Sequence, residues 1–133
     1  MNNPNKPCIF CNPKKKDIIF ENSLVYATFD SYPVSNFHAL IITKRHIKDF
    51  FKITNEELLE CKNLIIKLKR KIILKDKLVK GFNIGTNSEK TAGQTVKHFH
   101  IHLIPRRKGD VKNPQGGVRS VIPLKQHYIR KNK

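Results

Sequence analysis

The segment His98-Phe99-His100-Ile101-His102-Leu103-Ile104 alternates without a break between imidazoles and apolar side chains. Successive side chains of an extended chain point to opposite faces, so the pattern predicts a strand from Val96 to Ile104, stopped by Pro105. His98, His100 and His102 then share one face, with Cα atoms ~7 Å apart. Phe99, Ile101 and Leu103 form the other face, which must lie against a core. Half of the six histidines in the chain stand on this single face, which makes it the leading candidate site. One option is a metal site, although at strand spacing usually only two such imidazoles reach one ion. The other is nucleophilic chemistry: neutral imidazole attacks phosphorus well, and its pKa lies near neutrality. A neighbouring imidazolium then stabilises phosphoryl charge or protonates a leaving group. The formal net charge of +17, from 27 Lys and Arg against 10 Asp and Glu, favours an anionic substrate and so the second option.

Something must cover the apolar face. Thr54-Asn55-Glu56-Glu57 matches a capping box, with Thr54 as N-cap and Glu57 at the third helical position. Leu58, Cys61, Leu64, Ile65, Leu68 and Ile72 follow at three- and four-residue steps, which predicts one amphipathic helix to about Lys75. Short strands are expected at Ile18–Phe20, Leu24–Phe29, His38–Thr43 and Gly81–Thr86, with turns or loops between them. Strands joined by short turns plus one long helix define an α+β class with an antiparallel sheet. At 133 residues the expectation is one domain over 1–133, with a basic tail from about Arg106. With 38% hydrophobic residues the chain has enough apolar material to fold. No apolar run approaches the ~18 residues of a membrane span. Met1-Asn2-Asn3-Pro4-Asn5-Lys6 lacks the apolar stretch of a secretory signal, so the expected location is cytoplasmic.

Cys8, Cys11 and Cys61 are too few and odd in number for a disulfide framework. Cys8-Ile9-Phe10-Cys11 is a C-x-x-C pair, half of a tetrahedral zinc site, and histidines would have to supply the rest. A redox pair is the rival reading, but Pro7 and Pro13 flank the motif where a strand and a helix would be required. Cys61 falls on the apolar stripe and is expected in the core.

The stretch Gly93-Gln94-Thr95-Val96-Lys97-His98-Phe99-His100-Ile101-His102-Leu103-Ile104-Pro105-Arg106 resembles the signature of the histidine triad (HIT) superfamily. Asp30, Pro33-Val34-Ser35, His38–Ile42, Lys44-Arg45-His46 and Asn83-Ile84-Gly85 are similar to further blocks of that family. Cys8–Cys11 resembles the opening of many bacterial-type members, and Gln94–His98 with Arg106–Asp110 is similar to the fragile-histidine-triad branch. The tail from Lys108 through Gly116-Gly117-Val118-Arg119 to Pro123 fits as well. The resemblance implies an antiparallel sheet of about five strands with one long and one short helix, and a homodimer.

By the same resemblance His100 is the nucleophile, attacking an α-phosphorus to form a nucleotidyl-histidine that water hydrolyses. His102 binds phosphate and assists the leaving group, and His38 orients the triad. Asp30 binds ribose hydroxyls, Asn83 lies beside the α-phosphate, and Asn87, Gln94 and Thr95 contact the leaving side. Cys8, Cys11, His46 and His98 together form a closed structural zinc site. Phe37 stands where relatives usually have Gly, and Thr43 where Pro is usual. The implied substrate is a dinucleoside polyphosphate, cleaved to a nucleoside monophosphate. Two alternatives remain: a nucleoside phosphoramidase using the same residues, and a non-catalytic nucleotide or nucleic-acid-binding module. The lysines are spread along the chain without an aromatic-rich basic motif, which argues against specific nucleic-acid readout while leaving weak non-specific binding open.

Overall fold

A computed structural model describes residues 8–131; the Met1–Lys6 stretch read above lies outside them. The elements are β1 (Ile18–Glu21), β2 (Val25–Phe29), β3 (Ala39–Thr43), α1 (Asn55–Lys75), β4 (Val79–Gly85) and β5 (His100–Arg107), with 3-10 turns between and after them. The five strands form one antiparallel sheet in the order β1-β2-β3-β5-β4. This is the expected α+β architecture. α1 is the one α-helix among the described residues. Short helical structure is otherwise confined to 3-10 turns at Lys15–Asp17, Phe50–Lys52, Lys90–Ala92 and Gly117–Val121.

The capping box at Thr54 forms with both of its reciprocal hydrogen bonds, which sets the start of α1. Arg45 closes on the Glu57 carboxylate with two nitrogens, at 2.8 and 3.2 Å, and this pairing holds the Glu57 carboxyl below the usual carboxylate range. Cys61, Leu64, Leu68 and Ile72 are buried against Val25, Ala27, Ala39, Ile41, Phe99, Ile101 and Leu103. Burial pushes the Cys61 thiol up to about 12, which makes it an inert packing group. Leu58, expected on the same stripe, is 38% exposed and borders a groove described below.

The strand expected over 96–104 is shifted. β5 begins at His100 and continues through Pro105 to Arg107. The start moves because residues 98 and 99 are held elsewhere: the Phe99 amide donates to the Ile47 carbonyl at 2.8 Å, and the His98 carbonyl accepts from His100 Nδ1 at 2.9 Å. Pro105 fits because β3 stops pairing at Ala39↔Leu103. On that vacated side the Pro105 carbonyl takes the Ser35 hydroxyl at 2.8 Å, so the missing N–H breaks no ladder bond. Phe37 occupies the left-handed region at φ 69°, a conformation that favours glycine, and its ring packs at 5.7 Å from that of Phe29.

Candidate active site and metal cluster

His100 and His102 project from β5 on the face opposite α1, their rings 5.2 Å apart. His98, displaced from the strand, does not join that row and is wholly buried. Its Nε2–H donates to the Thr43 carbonyl at 2.7 Å, so its Nδ1 carries the lone pair. That nitrogen lies 3.5 Å from Cys8 Sγ, 3.5 Å from Cys11 Sγ and 3.2 Å from His46 Nδ1, and Cys11 Sγ lies 3.1 Å from His46 Nδ1. Metal–sulfur bonds of ~2.3 Å and metal–nitrogen bonds of ~2.0–2.1 Å give a tetrahedron ligand–ligand edges of about 3.3–3.8 Å. The four donors sit close to that spacing, so Cys8, Cys11, His46 and His98 fit a metal ion. Thr43 also closes on Arg45, its hydroxyl donating to the Arg45 carbonyl at 2.9 Å, which shapes the turn into His46. Burial raises the Cys11 thiol and Cys8 beside it adds to the effect, while burial lowers His98; a bound cation reverses the first of these.

On the other side of His100 lies a second cluster. His38 Nε2 is 2.9 Å from His102 Nδ1 and 3.4 Å from Asp30 Oδ2, which is 3.8 Å from His102 Nδ1. These three donors are also close enough for a cation, but their protons argue otherwise. The Val34 amide donates to His38 Nδ1 at 3.1 Å. That leaves the His38 proton on Nε2, where it donates to His102 Nδ1, and the His102 proton therefore stands on Nε2. A nitrogen that carries a proton cannot ligate a metal, so the Val34 amide, His38 and His102 form a hydrogen-bonded chain that fixes the tautomer of His102. Burial lowers the His38 pKa, with the Asp30 charge opposing. Burial, followed by the charges of His100 and His38, takes His102 down to about 4, again against Asp30. Both rings are thus neutral at neutral pH.

His100 stands between the clusters. Its Nδ1–H donates to the His98 carbonyl, which leaves the Nε2 lone pair available, the form a nucleophilic imidazole needs. Its ring meets that of Phe10 edge-on at 4.9 Å. The Thr86 hydroxyl holds the His100 carbonyl at 2.7 Å. A cavity of about 690 Å³ opens on the same face of the sheet, lined by Ile9, Phe10, Tyr26, Thr28 and Ile42 among others.

Asp30, His38 and His102, given separate roles in the sequence reading, lie together. Thr95 is exposed and Asn87 half-buried in the loop preceding β5. One assignment is not supported by side-chain position. Gln94 is buried, its amide donating to the carbonyls of Lys48 at 2.6 Å and Val96 at 3.2 Å and accepting from the Glu89 amide at 3.0 Å. It organises the loop rather than facing a ligand. Asn83 pairs with Ile104, two residues beyond His102, and so stands on the histidine face of the sheet, where its oxygen accepts from Arg106 Nη1 at 2.7 Å. Sequence reading passed over Phe10, Tyr26 and the Val34 amide. The apolar pair inside C-x-x-C was the available signal for Phe10, whereas a backbone donor such as Val34 leaves none.

A five-stranded antiparallel sheet with one long helix, a histidine pair on its open face and a Cys2His2 cluster at the strand mouth defines a histidine-triad protein. The chain matches the HIT domain over residues 12–109 and belongs to that family. It is 36% identical over 110 residues to an uncharacterized HIT-like protein of Methanocaldococcus jannaschii, covering 77% of this chain and 81% of that one. It is likewise 36% identical over 108 residues to the Hit protein of Bacillus subtilis, covering 77% and 74%. Among solved structures, a zinc-bound histidine triad family protein from Mycobacterium smegmatis superposes with a TM-score of 0.69 at 30% identity, covering 77% of each chain. A histidine triad nucleotide-binding protein from Candida albicans gives 0.67 at 29% identity, covering 77% and 76%. No helix among the described residues is long and apolar enough to cross a membrane.

Proposed function

We propose that this chain is a cytoplasmic nucleotide hydrolase acting at the α-phosphate of a dinucleoside polyphosphate. The observation that carries the reading is the proton assignment at His100: Nδ1–H is spent on the His98 carbonyl and Nε2 is left as a lone pair, on a ring that meets Phe10, one of the residues lining the open cavity. In the first step Nε2 attacks the α-phosphorus, a P–N bond forms, and the P–O bond to the leaving polyphosphate breaks. His102 Nε2–H donates to the phosphoryl or leaving oxygen, and His38 fixes that tautomer. Water then attacks phosphorus, the P–N bond breaks and a nucleoside monophosphate leaves. The cavity supplies an apolar slot for the base, with Asp30 facing the ribose hydroxyls and Asn87 and Thr95 on the leaving side. The whole chain is read as one domain of the zinc-carrying, fragile-histidine-triad-like type.

In the same reading zinc is held by Cys8, Cys11, His46 and His98, a full set of four protein ligands that leaves no position for substrate, so the ion would be structural. A homodimer is supported by the apolar groove of Phe50, Leu58, Leu59, Ile65 and Ile84 beside the edge strand β4. The test is turnover of diadenosine polyphosphates and of adenosine phosphoramidates, with acid-quench trapping of an adenylyl adduct. Wild type should turn over the former and carry the adduct on His100, and His100→Ala should lose at least about 10⁴-fold in kcat. Turnover of neither compound, with nucleotide binding intact in His100→Ala, refutes the hydrolase reading. Turnover of phosphoramidates alone moves the substrate to a P–N bond.

A further inference from the structure

Phe10 belongs to two sites at once. It lies inside the Cys8–Cys11 turn, where the Cys11 amide donates to the Cys8 carbonyl at 3.2 Å and both sulfurs face His98. Its ring stands edge-on to His100 at 4.9 Å and to His98 at 6.0 Å. Its carbonyl accepts the hydroxyl of Tyr26, a side chain buried in the sheet. With Cys8, Ile9, Tyr26 and Ile42 it also walls the cavity on the histidine face. A two-residue tip anchored at both ends by metal-bound thiolates has almost no freedom. Once both thiolates are released, the turn keeps its own Cys11-to-Cys8 backbone bond, but what fixes it to the sheet is the Tyr26 hydroxyl and apolar contact.

We infer that Phe10 is a positioning residue through which the Cys8–Cys11–His46–His98 cluster sets nucleotide affinity. With metal held, the tip closes the cavity wall and braces His100; with metal lost, the wall opens. The inference rests on reading the cavity as the nucleoside site. The coupling is reciprocal, so bound nucleotide raises metal affinity by the same factor.

The test is a thermodynamic cycle on the full chain, with AMP titrated calorimetrically into wild type and Phe10→Ala, each zinc-loaded and zinc-stripped. Stripping wild type is expected to weaken AMP binding about tenfold or more. Phe10→Ala is expected to cost a similar factor at unchanged zinc content, and stripping that variant to cost little further. An unchanged Kd in stripped wild type, or an undiminished second loss in stripped Phe10→Ala, overturns the coupling. Zinc-loaded wild type that does not bind AMP overturns the nucleotide reading itself, and the coupling with it. If circular dichroism shows that stripping unfolds the chain, zinc-loaded Tyr26→Phe decides. Several-fold weaker AMP binding at unchanged zinc supports the coupling, and an unchanged Kd refutes it.

Discussion

Two groups of side chains with metal-binding chemistry flank His100, and they differ in one respect that decides their roles. In the Cys8–Cys11–His46–His98 group, His98 spends its Nε2 proton on a backbone carbonyl and turns a lone pair toward the two sulfurs. In the Asp30–His38–His102 group, a backbone amide takes the lone pair of His38 and turns its proton toward His102. The donor distances alone would allow a cation in either. What separates them is whether a carbonyl or an N–H meets the far side of the ring, a choice made by the chain next to the histidine.

Metal analysis is the most direct way to break that comparison. One zinc per chain is expected, falling to near zero in Cys11→Ser and staying at one in His38→Ala; two ions per chain, or loss of zinc in His38→Ala, contradicts the division. Next in size is catalysis. His38→Ala should lower kcat by about 10²–10⁴-fold while zinc content and fold are kept, because the tautomer of His102 is no longer held. An unchanged kcat would show that turnover does not depend on His38 holding that tautomer.

The third concerns pH. His102 is held near 4 in the folded chain against an ordinary value of 6.5, and His38 is lowered too. Between those limits the unfolded chain binds more protons than the folded one, so stability is full above about pH 6.5 and drains away as pH falls toward 4. With the His102 side chain a quarter exposed, the loss should be about 2 kcal/mol, read from urea midpoints in zinc-loaded protein. His102→Gln should flatten that slope, and an unchanged slope would argue against the buried neutral pair. The smallest effect belongs to the net charge. Added salt should lower kcat/KM several-fold and leave kcat nearly constant, as expected if the positive field steers a polyanion. An equal fall in both would locate the salt effect in the chemical step.

The parts that were legible in sequence are those set by local periodicity. The capping box, the apolar stripe of α1 and the alternation at His100 to Leu103 each state their geometry within a few residues. His98 obeys the same alternation yet leaves the strand, because Ile47, Thr43 and the two cysteines claim its neighbourhood from far along the chain. Pro105 reads as a stop and is tolerated, since the partner strand has already ended. Gln94 looked like a ligand contact and is instead consumed by loop carbonyls. Such outcomes depend on which backbone groups are left unpaired after the sheet closes, and side-chain pattern does not encode that. The left-handed Phe37, where a glycine was expected, shows the same limit from the other side: the departure was visible, while the Phe29 ring that packs on it was not.

The strand order has a consequence for how the molecule comes into being. β5 is the last of the five described strands in chain order, yet it lies between β3 and β4 in the sheet. In order of synthesis β1, β2 and β3 have their mutual neighbours before β5 exists, while β4 has no sheet neighbour until residues 100–107 are made. The apolar face of α1 meanwhile lacks Ile101 and Leu103. A chain lacking β5 has one open sheet edge on β3 and an unpaired β4, the condition in which edge-to-edge association competes with folding. The strand that ends this condition also carries His100 and His102, so completion of the sheet and assembly of the histidine pair are a single event.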